Sequence, residues 1–320
     1  MRAIVVNQLG GPETMVLGEW PDPVPGPGQV VVDVAAAGVN FIDIYRRSGV
    51  YKQPVPYVPG SEGAGTVVSV GEGVHEFSAG DHVAWSEGPG SYAERVAVAA
   101  ANAVPVPNGI DLKLAAAVML QGLTAHYLCR STFPVADGNV AVVHAAAGGV
   151  GLLLTQMIKD IGATVVATTS STPKGVLAKQ AGADFVTTYE EFPDVVREVT
   201  SGRGADVVFD GVGKATFDAS LSALRPRGMM VLFGGSSGQV PPFDLQRLNS
   251  GGSLYVTRPT LAHYITDRTE LLWRAGDVFE GIVKGSLHVR IGAEYALTDA
   301  PRAHEDLAGR RTTGKLILIP

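Results

Sequence analysis

The chain has 320 residues, 46% apolar and 18% charged, an ordinary globular composition with room for two domains. A net charge of −6 argues against nucleic acid or an anionic membrane as partner, since both require a basic surface. The single cysteine, Cys129, excludes an internal disulfide and any zinc site built on several cysteines, and it fits a reducing compartment.

The N-terminal stretch MRAIVVNQLG enters a strand directly, without the layout of a signal peptide. Residues 1 to about 110 then read as short strands (3–6, 29–34, 66–70, 82–85 and 92–98) between Gly- and Pro-rich turns, as expected of a barrel or sandwich. A helix is expected over 111–130, with Cys129 as inert core. Strand and helix alternate from there, with strands at 139–144, 164–169, 184–189, 205–210, 228–234 and 252–257. Six apolar strands joined by helices predict a parallel sheet covered on both faces. The longest apolar stretch, 140–158, is interrupted by His144, small residues and Gln156, short of the ~20 residues that span a membrane. A long amphipathic helix over 261–283 and a final strand in GKLILIP follow, the latter placed to return to the first domain. A cytoplasmic protein is expected.

The segment HAAAGGVG (144–151) lies between the first strand and first helix of the alternation. Ala146, Ala147, Gly148, Gly149, Val150 and Gly151 form an A-x-G-x-x-G version of the dinucleotide fingerprint, in which backbone approaches a pyrophosphate at a helix N-terminus. An NAD site carries an acid about 20 residues on, at the end of the second strand, to accept from the ribose 2′-hydroxyl. No acid stands between Gly162 and Asp184; Ser170, Ser171, Thr172 and Lys174 occupy that region. A hydroxyl-and-ammonium pocket suits a 2′-phosphate, so NADPH is the expected cofactor; the same hydroxyls also suit a helix cap. The seven histidines form no H-x-H or H-E-x-x-H pair, and His144 reads as a strand-end residue that packs or hydrogen-bonds.

Seven segments spread over essentially the whole chain stand out together: GVNFIDIYRRSGVY (38–51), PGSEGAG (59–65), QGLTAHYL (121–128), HAAAGGVG, FGGSSG (233–238), GSLYVTRP (252–259) and RRTTGK (310–315). In them the chain resembles the medium-chain dehydrogenase/reductase superfamily, and within it the zeta-crystallin-like NADPH:quinone oxidoreductases. The resemblance implies a GroES-like β-barrel catalytic domain (1–120 and 262–320) and a doubly wound Rossmann domain with a six-stranded parallel sheet (121–261). The zinc alcohol dehydrogenases of the superfamily have Cys where Asn40 stands and His where Ser61 stands, so the resemblance implies a zinc-independent reductase with no metal ligands.

On matching positions, Asn40, Tyr45 and Tyr51 are expected beside the nicotinamide cleft as positioning and polarising groups. Asp43 is expected among the cofactor-binding residues, fixing that loop through backbone hydrogen bonds rather than transferring protons. Further cofactor contacts are implied at Thr124, Ser170, Lys174, Tyr189, Lys214, Gly234, Val256, Arg258 and Arg310. The sequence departs from many relatives in having Gly235 where Asn is common and Ser170 where some have Gly. The expected activity is reduction of quinones by NADPH. Reduction of α,β-unsaturated carbonyls is an alternative on the same fold, and a non-catalytic NADPH-binding or RNA-associated role a remote one. A homodimer is expected through the apolar edge strand GSLYVT.

Overall fold

The computed structural model describes all 320 residues. The chain divides into two compact units: residues 1–123, 265–283 and 289–320, and residues 124–264 with 284–288.

In the first unit the strands are β1 (Arg2–Val6), β2 (Met15–Glu19), β3 (Gln29–Val39), β4 (Glu62–Val70), β5 (His82–Trp85), β6 (Arg95–Ala99) and β7 (Val104–Pro105), with helix α1 (Phe41–Arg47) between β3 and β4. Two expected strands extend further than their Val-rich cores: β3 runs to Val39 through AAAG, and β4 begins at Glu62 through EGAG. Small residues there let the strands pass close to buried side chains. Helix α2 (Leu112–Tyr127) follows, and a π-helical turn, Leu128–Thr132, prolongs it. Together, Leu112–Thr132 is long and apolar enough to cross a membrane, but 72% of that stretch is buried inside the protein, as in a core helix.

The second unit contains β8 (Val140–Val143), α3 (Gly149–Asp160), β9 (Thr164–Thr168), α4 (Thr172–Gln180), β10 (Phe185–Thr187), α5 (Phe192–Val199), β11 (Ala205–Asp210), α6 (Phe217–Ser222), β12 (Leu224–Leu232), α7 (Gln246–Ser250) and β13 (Tyr255–Thr257). Its six strands are all parallel in the order β10-β9-β8-β11-β12-β13. The order in which strands are added reverses between β8 and β11, and in open sheets of this kind ligands bind outside the carboxyl ends at such a switch point. Val140, Val142, Val166 and Val208 from the strands pack with Phe192, Val196, Phe217 and Leu221 from α5 and α6.

The chain then adds α8 (Arg268–Lys284), β14 (Ile291–Ala296), α9 (Ala300–Ala308) and β15 (Lys315–Ile319). The helix expected from residue 261 is broken: Leu261–Tyr264 is a 3-10 turn and α8 begins only at Arg268. Asp267 accepts from the backbone of Thr269 at 2.6 Å, which caps the new start. The final strand does return to the first unit, pairing antiparallel with β3 and parallel with β14. It completes a seven-stranded sheet in the order β14-β15-β3-β4-β5-β7, with β6 also on β3. Its Leu316 and Leu318 join Val32, Val39, Trp85 and Tyr92 in the core.

Candidate active site

Two clusters carry chemistry, one in each unit. In the first unit, strand register brings distant residues together: Gly38 of β3 faces Glu62 of β4, and Leu316 of β15 faces Val39. Asn40, Glu62 and Lys315 therefore meet. Glu62 and Lys315 form an ion pair, and they are 0% and 1% exposed. Lys315 Nζ also donates to Asn40 Oδ1 at 2.7 Å, Asn40 Nδ2 donates to Glu62 Oε2 at 2.8 Å, and the Leu120 amide donates to Glu62 Oε1 at 2.6 Å. A Cβ on Gly38 would overlap the Glu62 carboxylate and approach Lys315 Cε to 2.7 Å, so only glycine admits this pair. The Asn40 amide, expected to face the acceptor, is committed to Lys315 and Glu62.

Asn40 is the N-cap of helix α1, and Asp43 in its first turn accepts from the Asn40 backbone N–H at 3.1 Å, a bond that fixes this loop. The same carboxylate reaches much further. Ser61 Oγ donates to Asp43 Oδ1 at 2.9 Å, and Arg46 Nη1 donates to Ser61 Oγ at 2.7 Å. Tyr92 Oη donates to Asp43 Oδ2 at 3.3 Å and contacts His304 Nε2 at 3.1 Å. The tyrosine has one hydrogen, so its donation to Asp43 assigns the hydrogen of the second contact to His304 Nε2. Burial pushes the Asp43 carboxyl up to about 6, against Ser61, Arg46 and Lys315, which hold it down. Burial raises Tyr92 and pushes Tyr57 up to about 12, in each case helped by the Asp43 charge, and lowers His304 to about 3.

Beside this network lies a cavity of about 400 Å³ within the first unit, lined by Asp43, Arg46, Tyr57, Ser61 and Glu87 among others. Asn40, Tyr45 and Tyr51 are not among its lining residues. Tyr45 and Tyr51 instead meet edge to face, with centroids 5.6 Å apart, and Tyr51 is exposed. The sequence reading missed Ser61, Arg46 and Tyr57. The one available signal was that Ser61 stands where a metal-binding relative has a ligand.

In the second unit, β8 runs into the glycine turn and α3. A Cβ on Gly151 would come 2.5 Å from Ala145 O and 2.7 Å from Ala146 Cα, so glycine here lets helix and turn close on each other. Gly148 is the N-cap of α3, and the backbone approaches freely where a phosphate would sit. His144 is fully buried; its Nδ1 lies 2.8 Å from Thr168 Oγ1 and its Nε2 2.9 Å from Ser220 Oγ, so it ties three elements together as expected. Burial lowers it to about 4, so the ring is neutral.

Asp210, at the end of β11, escaped the sequence reading. It is 0% exposed and accepts from Val212 N (2.7 Å), Gly213 N (2.9 Å), Thr216 Oγ1 (2.6 Å) and Ser220 Oγ (3.2 Å). These four bonds shape the loop carrying Lys214, whose amide meets Gly238 O at 3.3 Å in the loop that follows Gly234. Beyond the end of β9, Lys174 Nζ reaches Ser170 Oγ at 3.4 Å, whereas Asp184 lies at the other end of that strand, where it accepts from Val165 N and pairs with Lys159, each at 2.8 Å. Tyr189 packs on the His144 ring, 5.8 Å between centroids. These residues fit a dinucleotide with a phosphorylated ribose: close backbone at the turn, and a cation with hydroxyls where an acid would repel. Thr124 is buried in α2, Val256 pairs with Met230 at the sheet edge, Arg258 donates to Pro259 O at 3.2 Å, and Arg310, at φ 56°, lies in the turn after α9 of the first unit.

Two family models match: the alcohol dehydrogenase GroES-like domain over residues 26–108 and the zinc-binding dehydrogenase domain over residues 149–268. A quinone oxidoreductase of Pseudomonas aeruginosa is 45% identical, covering 100% of this chain and 99% of its own. The chain belongs to the quinone oxidoreductase family of the medium-chain dehydrogenases/reductases. The crystal structure of the Escherichia coli quinone oxidoreductase complexed with NADPH is 41% identical and superposes with a TM-score of 0.97, each chain covered in full. A 2-haloacrylate reductase of a Burkholderia species is 38% identical over 100% of this chain and 99% of its own. Unlike the zinc dehydrogenases, this quinone oxidoreductase family member has Asn40 and Ser61 at the two ligand positions, and both side chains are engaged with neighbouring protein groups.

Proposed function

We propose that this protein reduces quinones with NADPH, and that the work is divided between its units. The second unit is the cofactor domain: the turn 146–151 holds the pyrophosphate, Ser170, Lys174 and Tyr189 the 2′-phosphate, and Lys214, Gly234, Val256 and Arg258 the remainder, with Thr124 as a further contact. The first unit is the catalytic domain, and its cavity takes the acceptor. NADPH supplies a hydride when bound. The protein's own residues bind, orient and exclude water, a contribution worth ~7–11 kcal/mol where geometry is good. Hydrogen-bond donors aimed at the acceptor oxygen add ~2.7–4 kcal/mol for one well-placed group.

The observation that carries this reading is the end of β9, where Ser170 and Lys174 stand in place of an acid within a member of this family. Its test is the oxidation of NADPH and of NADH with 1,4-benzoquinone, naphthoquinones and 2-alkenals, with a chelator present. Rapid turnover with NADPH and quinones, unchanged by chelator, is expected; turnover confined to 2-alkenals would establish the enone reductase instead. We place the protein in the cytoplasm as a homodimer. The dimer reading is supported by β13, which pairs with β12 alone and carries an exposed Tyr255.

A further inference from the structure

We infer that Ser61 protonates the reduced acceptor, and that Asp43 sets the direction in which the Ser61 hydroxyl points. This rests on the cavity of the first unit being the acceptor site. Ser61 and Asp43 both line that cavity. A serine hydroxyl has one hydrogen and two lone pairs. One lone pair accepts from Arg46 Nη1 at 2.7 Å in either state of Asp43. With Asp43 ionised, the hydrogen is spent on Asp43 Oδ1 at 2.9 Å, and only a lone pair remains for the cavity. That lone pair repels a carbonyl or alkoxide oxygen.

Protonation of Asp43 reverses this. Its Oδ2 already accepts from the Asn40 amide and from Tyr92, so the incoming proton belongs on Oδ1, facing Ser61. Asp43 then donates to Ser61, both serine lone pairs are occupied, and the serine hydrogen is released toward the cavity. One carboxyl proton thus converts Ser61 from acceptor to donor.

The proton count closes. Two-electron reduction by a hydride leaves negative charge on the acceptor oxygen. The Ser61 O–H bond breaks as a new O–H bond forms on the acceptor, the Asp43 proton moves to Ser61 Oγ, and the resulting carboxylate recovers a proton from cavity water. One proton is consumed for each hydride delivered. The groups facing Asp43 are Arg46 on its own helix, Ser61 just before β4, Lys315 of β15, which is itself paired with Glu62, and Tyr57 and Tyr92. Burial outweighs the cations among them and leaves the carboxyl at about 6, where it exchanges protons under ordinary conditions. Ser61 is the donor to the acceptor; Asp43 positions Ser61 and resupplies its proton, and Arg46 is a positioning residue.

The test compares wild type, Ser61→Ala and Asp43→Asn across pH, with a quinone and a 2-alkenal as acceptors. Wild-type kcat should fall as pH rises through about 6. Ser61→Ala should lose ~100-fold in kcat with NADPH affinity unchanged, and lose the pH dependence. Asp43→Asn keeps a carbonyl for Tyr92 and an N–H for Ser61, so it should hold the hydroxyl in its donating direction, but the amide has no proton to pass on to Ser61 Oγ, so kcat should fall and the profile flatten. A Ser61→Ala profile matching wild type at every pH, while quinones are still reduced, overturns this inference and leaves the functional reading intact. Wild type that reduces neither acceptor overturns both. Infrared spectroscopy of the cofactor-free protein gives a second readout that survives loss of activity. A carboxyl stretch that titrates near 6, disappears in Asp43→Asn and shifts in Ser61→Ala supports the switch, and a band unmoved by Ser61→Ala contradicts it.

Discussion

The glycine turn of the second unit and the buried polar network of the first are built in opposite ways. The turn is contiguous: eight residues, 144–151, place backbone against backbone, and their side chains matter chiefly by being absent. The network is assembled from Asn40, Asp43, Ser61, Glu62, Tyr92, His304 and Lys315, joined across up to 275 positions of sequence. A backbone site tolerates no added atom, whereas a side-chain site tolerates no lost partner. That difference decides how each fails.

The largest effect is expected in the network. Glu62→Gln leaves Lys315 charged and buried without its partner, and urea unfolding should show a loss of about 3–5 kcal/mol, recovered in part by adding Lys315→Met. A loss under about 1 kcal/mol would mean that water or rearrangement already screens the pair. Next, Gly151→Val should cost at least ~100-fold in NADPH affinity, about 2.7 kcal/mol, with circular dichroism unchanged. Unchanged affinity would show that the turn is merely tight.

Stability against pH separates the buried titrating groups of the molecule. His144 and His304 stay neutral when folded, at about 4 and about 3, but gain a proton near 6.5 when unfolded, so they cost stability as pH falls below about 6.5. Asp43 works the other way: folded, it takes a proton at about 6, and unfolded only near 3.8, so it adds stability as pH falls through that window. Asp43→Asn should therefore steepen the acid loss in thermal melts. The smallest effect is expected at the surface, where Lys174→Met should weaken NADPH about tenfold and leave NADH unchanged, as read by fluorescence titration.

The second unit was legible because its signals are local. Alternating apolar strands and helices, the glycine run and the missing acid after β9 each lie within a few residues of one another, and the strand-end place of His144 followed from the same pattern. Thr168 and Ser220, its partners, did not, because they arrive from separate elements. In the first unit the strands 29–34 and 66–70 were visible, but their extensions through AAAG and EGAG carry no β-branched pattern. Those extensions place Asn40 and Glu62. Asp43 was visible as a loop-fixing residue because its partner is three positions away, whereas Ser61, Tyr92 and Lys315 become its neighbours only through strand register. The break between Tyr264 and Arg268 was hidden under an unbroken amphipathic pattern.

Cofactor choice is the most direct test of the account, because the reading of the second unit rests on a cation and hydroxyls in place of an acid. Calorimetric titration of the unliganded protein with NADPH and with NADH measures it without reference to any acceptor. Binding of NADPH tighter by ten-fold or more, about 1.4 kcal/mol, is the predicted result. Equal binding, or a preference for NADH, would contradict it.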